Sequence, residues 1–420
     1  MSVDANKIEK LIYDAVFAAD AQARDKGFLE IRKLAGENGL VLASIQGLYE
    51  ASGQGKYSHK TVPAMNIRGI TFDTARAVFR AALKDKVGAM IFEIARSEIG
   101  YTLQRPAEYT ACVLAAAMAE GFKGPVFMQG DHFQINAGKY KADAQKEVGA
   151  VKDLIKEAIA AGFYNIDIDA STVVDISKKT IAEQQADNAA ITADMTRFIR
   201  GIEPKGVTIS IGGEIGEVGT TNSTVEDLDA FMAGYRKLIG KDVKGISKIS
   251  VQTGTSHGGV VLPDGSIAKV KLDFKTLEDL SRTAREKYGM GGAVQHGAST
   301  LPDEAFHKFP EVGTVEVHLA TGFQNIILDS PHFPGSLIQK INASLIEKYA
   351  AERKSGETEE QFLYKTRKKS FGDFKKEMWD LPDGILNSIG KDLEERFTLL
   401  FQKLNVTDTA SLVKKYVKAK

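Results

Sequence analysis

The stretch PVFMQGDHFQINAG, residues 125–138, decides how the rest of the chain is read. Its apolar start, 125–129, predicts a buried strand, and that strand runs straight into Gly130, Asp131 and His132, a titratable pair at a strand terminus. The pattern recurs on both sides. Further β-rich apolar runs lie at 62–67, 88–94, 164–169, 207–212, 246–252, 292–295 and 314–319. Helix-period stretches fall between them, at 74–84, 107–120, 145–161, 192–202, 224–238 and 274–287. Eight strands separated by helix-length segments predict an α/β fold, a (β/α)8 TIM barrel, because parallel neighbours need crossover connections. A doubly wound open sheet is the other architecture with this alternation. The barrel is expected over 61–330, an N-terminal helical extension over 1–60, and a polar helical C-terminal extension over 331–420. Chemistry in such barrels gathers on the loops that follow strands, so functional residues are expected just after each run.

Bulk properties narrow the function classes. The chain has 420 residues, 43% hydrophobic and 26% charged, the profile of a globular protein with ample core. Lys+Arg and Asp+Glu both total 55, so no global basic field argues for nucleic acid. A single cysteine, Cys112, rules out an intramolecular disulfide and a cysteine-rich zinc site. The opening MSVDANKIEKLIYDAVFAAD carries Asp4, Glu9 and Asp14 early and reads as an amphipathic helix, not a signal peptide. With no run of about 18 apolar residues, no membrane span is expected and the cytoplasm is the expected location.

Three of the seven histidines follow a strand run beside glycine or a small residue: His132 in QGDHFQ, His257 in QTGTSHGG and His296 in AVQHGAS. Barrel closure would carry all three to one rim, and three imidazoles plus an open position is a common catalytic zinc set. A hydrogen-bonded loop histidine is the plainer reading of each one alone. Asp131 and His132 are neighbours, so in extended chain their side chains diverge by about half a turn. That makes Asp131 a poor co-ligand, and either a general acid or base beside bound substrate or a turn-capping aspartate. GGEIGEVGT, 212–220, sets Glu214 and Glu217 among glycines, either a mobile loop with a carboxylate base or an exposed turn. Asp167 and Asp169 share one face of their strand. GTSHGG, HGAST and LATGFQN have the small residues and helix starts of anion-binding nests.

In this order the segments resemble the zinc-dependent class II ketose-bisphosphate aldolases. The matches are Asn66 in PAMNIRG, Asp131-His132, Glu214-Ile215-Gly216, Thr255-Ser256-His257-Gly258, His296-Gly297-Ala298-Ser299, and the stretch ending in Thr321. The resemblance spans about residues 60–325 and leaves both extensions uncovered. It implies zinc, or another divalent metal, on His132, His257 and His296, with Glu214 as an additional or alternative ligand, and is compatible with a monovalent cation nearby. It makes Asp131 the acid/base at the substrate C4 hydroxyl, sets Asn66 at the substrate, and has Gly258, Gly259, Ser299 and Thr321 grip a phosphate. Glu217 is then the nearest candidate for the proton-abstracting glutamate. The implied reaction is reversible aldol cleavage of fructose 1,6-bisphosphate to dihydroxyacetone phosphate and glyceraldehyde 3-phosphate through a metal-stabilised enediolate, in glycolysis or gluconeogenesis.

Departures mark a divergent branch. Where the family has an asparagine touching the enediolate, this chain has His318 in VEVHLAT, which would donate to that oxygen instead. EIARSE replaces the family's serine-bearing loop, and Arg96 in it would meet a phosphate. Arg367 and Lys368, in TRKK at 366–369, either reach over the mouth to a distal phosphate or belong to a solvated helix face. Tagatose-bisphosphate aldolase and zinc-dependent sugar epimerase share this chemistry and remain alternatives. So does a non-catalytic accessory subunit of tagatose-bisphosphate aldolase, although such a subunit has no need for His257 and His296. By family analogy a homo-oligomer is expected, a dimer or higher.

Overall fold

The computed structural model describes residues 4–216, 221–254, 262 and 272–418. Nine strands are present among them: β1 (Leu40–Leu42), β2 (Val62–Asn66), β3 (Ile91–Ala95), β4 (Gly124–Gln134), β5 (Asn165–Asp169), β6 (Ser210–Glu214), β7 (Lys248–Val251), β8 (Ala293–Gln295) and β9 (Glu316–Leu319). β2 to β9 pair in sequence order, all in parallel, and β9 returns to β2, closing an eight-stranded (β/α)8 barrel. Closure excludes the open sheet. All eight apolar runs contain a strand because strands covered by helices outside and side chains inside are buried on both faces, which demands continuous apolar character.

Three details differ from the expectation. β1 is a three-residue strand on the N-terminal end of β4, too short to show a period. β6 starts at Ser210, since a turn from Val207 N–H to the Pro204 carbonyl holds the preceding residues, and it runs on to include Glu214. β4 extends five residues past its apolar run, through a register shift between Gly130 and Phe133. Several barrel helices are amphipathic and capped by side chains, as at Asp143, Thr224 and Asp273, whereas helix Pro106–Ala119 is buried on nearly every side. Between β8 and β9 the only α-helical segment is the four-residue Lys308–Glu311.

The flanking helices share the barrel's apolar core. Helix Asp383–Lys403 carries Phe397, whose ring lies 4.7 Å from Phe323 of helix Thr321–Leu328. Trp379 sits among Tyr13, Phe17 and Phe72, tying the first helix to the C-terminal segment. At the other end, helix Gln46–Gly53 and tail residues Val413 and Val417 join a second apolar cluster around Tyr49. Among the described residues no helix is long and apolar enough to cross a membrane.

Candidate active site

The C-terminal ends of the strands open into a cleft of about 580 Å³. Asn66, Arg96, Asp131, His132, His296, Ser299, His318, Thr321 and Lys368 all line it, although they come from six regions of the chain. The bulge in β4 is what brings the first pair together. His132 adopts φ +40°, an unusual value for a non-glycine residue, and the register slips across it. Asp131 and His132 therefore do not diverge as extended neighbours would: His132 Nε2 lies 3.8 Å from Asp131 Oδ1, and both face the cleft.

Three imidazoles then stand in a row. The His132 and His296 ring centroids are 4.1 Å apart, and those of His296 and His318 are 4.0 Å apart. His132 Nδ1 is oriented by Asp169 Oδ2 at 3.0 Å, with Glu214 Oε2 at 3.2 Å, and His296 Nε2 lies 3.0 Å from Ser250 Oγ. Carboxylates behind a histidine are how metal-binding imidazoles are usually held. Among the described residues, Asp131, His132 and His296 offer ligand atoms within 4.8 Å of one another, as do His132, Asp169 and Glu214. A third such group is Glu93, Asp131, Asp167 and His318. Mixed imidazole and carboxylate donors fit zinc and other divalent first-row metals. Electrostatics agree. Burial opposes the charge on Asp131, yet His132, His318 and His296 hold its pKa well below the usual carboxylate range. Burial, with Asp169 beside it, pushes Glu214 up to about 7. Burial likewise raises Glu93 to about 8, against the pull of His318 and helped by Asp131. Against burial, Asp131 and Glu214 raise His132, and Glu93 and Asp131 raise His318, well above the usual imidazole range, so imidazoles and carboxylates are tightly coupled at the mouth.

Below the mouth lies a polar floor that the sequence analysis did not assign. Lys248 of β7 is fully buried, its Nζ donating to Gln129 at 2.8 Å and Asp167 at 2.9 Å, and pairing with Glu316. Gln129 donates to Glu93 and Glu316, both at 2.8 Å, and Tyr49 donates its hydroxyl to Glu316 from below. Gly212 leaves the room for this: a Cβ there would fall 2.3 Å from Asp167 Oδ1 and 3.0 Å from Lys248 Cε. The signal was present in the chain, as single charges at Glu93, Lys248 and Glu316 inside otherwise apolar runs. Arg68 and Glu98 were also missed; they form a 2.6 Å ion pair at the rim.

The remaining candidates fall in distinct places. Arg96 lines the cleft but is engaged, donating to the Gln134 carbonyl at 2.6 Å and pairing with Glu147. The Ser299 hydroxyl accepts from the Ala320 N–H at 2.6 Å, and Thr321 opens helix Thr321–Leu328 next to Arg68. Lys368 extends over the Tyr101 ring, 5.5 Å away, and burial together with Arg68 lowers its pKa. Arg367 is not brought to the cleft: it pairs with Asp329 and Asn325, each at 2.6 Å, against Tyr364. Consecutive residues on one 3-10 turn point apart, which divides the basic patch. Glu217, His257, Gly258 and Gly259 lie outside the described residues.

The architecture is shared with solved structures. The YdjI aldolase from Escherichia coli K12 superposes with a TM-score of 0.51 at 14% identity, over 88% of this chain and 99% of that one. The fructose-bisphosphate aldolase from Campylobacter jejuni gives 0.52 at 16% identity, over 88% and 97%. No curated protein matches the sequence significantly. The family model for fructose-bisphosphate aldolase class-II matches residues 46–378, which take in the barrel and every described cleft residue named above, and the chain belongs to that family of aldolases.

Proposed function

We propose that this chain catalyses the zinc-dependent, reversible cleavage of fructose 1,6-bisphosphate to dihydroxyacetone phosphate and glyceraldehyde 3-phosphate. One observation carries the reading: His132, His296 and Asp131 converge at the barrel mouth with donor atoms within 4.8 Å. His132 and His296 would hold the metal with His257, and Glu214 stands behind His132 as a further donor. When bound, the metal supplies Lewis-acid polarisation of the ketose carbonyl. Asp131, kept ionised and pinned by Asn66 at 2.8 Å and His318 at 3.1 Å, takes the proton of the C4 hydroxyl as the C3–C4 bond breaks and returns it in condensation. Lys368 and Arg68 give one end of the cleft a positive field for a phosphate, beside Ser299 and Thr321. Glu217 is proposed as the base that exchanges the proton of the three-carbon product.

The test is a coupled cleavage assay with metal analysis. Purified chain is expected to carry about one divalent ion, to lose cleavage in EDTA and to regain it with zinc. His132→Ala and His257→Ala are each expected to remove metal and activity together. Cleavage of fructose 1,6-bisphosphate that survives EDTA overturns the proposal, and faster cleavage of tagatose 1,6-bisphosphate reassigns the substrate.

A further inference from the structure

We infer that Glu316 and Lys248, on the barrel floor and outside the cleft, are positioning residues that act on Asp131 through His318. The inference rests on the reading of Asp131 as the acid/base. Both Asp131 oxygens are held from behind. Oδ2 accepts from the Asn66 amide at 2.8 Å, and that amide also donates to Glu98 at 2.9 Å, itself paired with Arg68. Oδ1 faces His318 Nδ1 at 3.1 Å.

The second connection is the one that needs explaining. His318 Nδ1 is equidistant from two acceptors, Asp131 Oδ1 and Glu93 Oε1, both at 3.1 Å. Only Asp131 Oδ1 lies in hydrogen-bonding geometry, while Glu93 Oε1 is left without a hydrogen-bond partner, so distance alone does not make the choice. An imidazole is a rigid plane, so the direction of Nδ1–H follows from what holds the opposite nitrogen. That nitrogen, Nε2, lies 2.6 Å from Glu316 Oε1. Glu316 cannot swing, because Lys248, Gln129 and Tyr49 all donate to it. Lys248 in turn is anchored across the barrel by Asp167 and Gln129. With a carboxylate beside each ring nitrogen, His318 is held behind Asp131 and not on a substrate oxygen. Stability alone does not explain the arrangement, because replacing a buried ion pair by apolar groups of similar volume is often neutral or favourable.

The experiment is a double-mutant cycle on the zinc-loaded protein, with cleavage of fructose 1,6-bisphosphate, metal content and Tm measured for each variant. Glu316→Leu is expected to lower kcat about 100-fold, the scale of a 1 Å misplacement of a reacting group. KM and metal content should hold within about twofold, because no cleft contact is removed. The near-isosteric Glu316→Gln, which keeps an acceptor oxygen, is expected to lose about tenfold and guards against misfolding of the leucine variant. In an Asp131→Asn background Glu316→Leu is expected to cost less than about threefold, since the residue it positions is gone. Equal losses in both backgrounds, or a kcat loss that merely follows Tm, overturn the inference while leaving Asp131's role intact. Normal cleavage by Asp131→Asn instead overturns the Asp131 reading and this inference with it. A crystal structure of Glu316→Leu gives a check independent of turnover: His318 is expected to turn toward Glu93, and an unmoved His318–Asp131 contact overturns the inference.

Discussion

His132 gains its position from its neighbour two residues back. Gly130 sits where β4 begins to bulge, and a Cβ there would lie 2.5–2.9 Å from the ring of Phe133, which is fully buried and cannot retreat. The aromatic ring thus occupies the space a side chain at 130 would need, and the chain between them is forced out with Asp131 and His132 on it. Gly130→Ala is expected to cost about 1–3 kcal/mol of stability by overpacking, and, because the bulge moves, to weaken zinc binding measured by chelator competition. Unchanged metal affinity would show that the bulge does not set the histidine. Asp131→Asn keeps the size and the Asn66 neighbour but cannot take a proton. It is expected to retain its metal and lose about 10²–10⁴-fold in kcat, the usual worth of a general base, read in the same cleavage assay.

At the scale of elements, the C-terminal segment is what reaches the cleft. Phe371 packs so closely on Gly69, in the loop after β2, that a Cβ at 69 would fall 1.9 Å from the ring. Gly372 lies equally tight on the Tyr101 carbonyl. These two contacts seat the turn carrying Lys368 between the loop that follows β2 and the helix Arg96–Thr102 that follows β3. Phe371→Ala is expected to lose about 3 kcal/mol or more, as buried aromatic truncations do, and to raise KM more than it lowers kcat because Lys368 loses its seat. Lys368→Met should raise KM without moving Tm. If Phe371→Ala leaves KM unchanged at a temperature where it is folded, the segment does not position the lysine.

Across the whole molecule, the flanking helices meet the barrel at a carboxylate-rich seam. Asp73, in helix Thr71–Lys84, lies near Glu9 of the first helix and Asp383 of the last long one, with Arg76 3.8 Å away. Burial raises Asp73 to about 6, against Arg76 and helped by Glu9. The sign follows from linkage. A carboxyl whose folded pKa lies above its ordinary value, 3.8, binds its proton more tightly when folded. Stability therefore falls as pH rises from about 4 to about 6 and stays lowered above that, by at most about 3 kcal/mol. Asp73→Asn is expected to raise Tm at pH 8 and to leave it nearly unchanged at pH 4. An equal gain at both values would mean that packing, not charge, is responsible.

The amino-acid sequence alone determined the alternation of buried parallel strands and crossover helices, because strands buried on both faces are largely apolar and helices must cross between them; that the sheet closes into a barrel instead of staying open was decided by the pairing of β9 with β2. The sequence also marked the chemistry at strand ends, since Asp131, His132 and His296 stand beside the glycines that end or bulge a strand. What only the tertiary structure decided is which groups touch. The half-turn divergence expected of Asp131 and His132 disappears in a bulge produced by Gly130 and Phe133, which no period reveals. His318 rests behind Asp131 because Glu316 of its own strand meets Lys248 and Glu93, from two other strands, inside a closed barrel. Arg367 and Lys368, alike and adjacent in sequence, part because Asp329 and Asn325 hold one and the cleft receives the other. Distances between residues hundreds of positions apart depend on closure and packing, and neither is written in any short window of the chain.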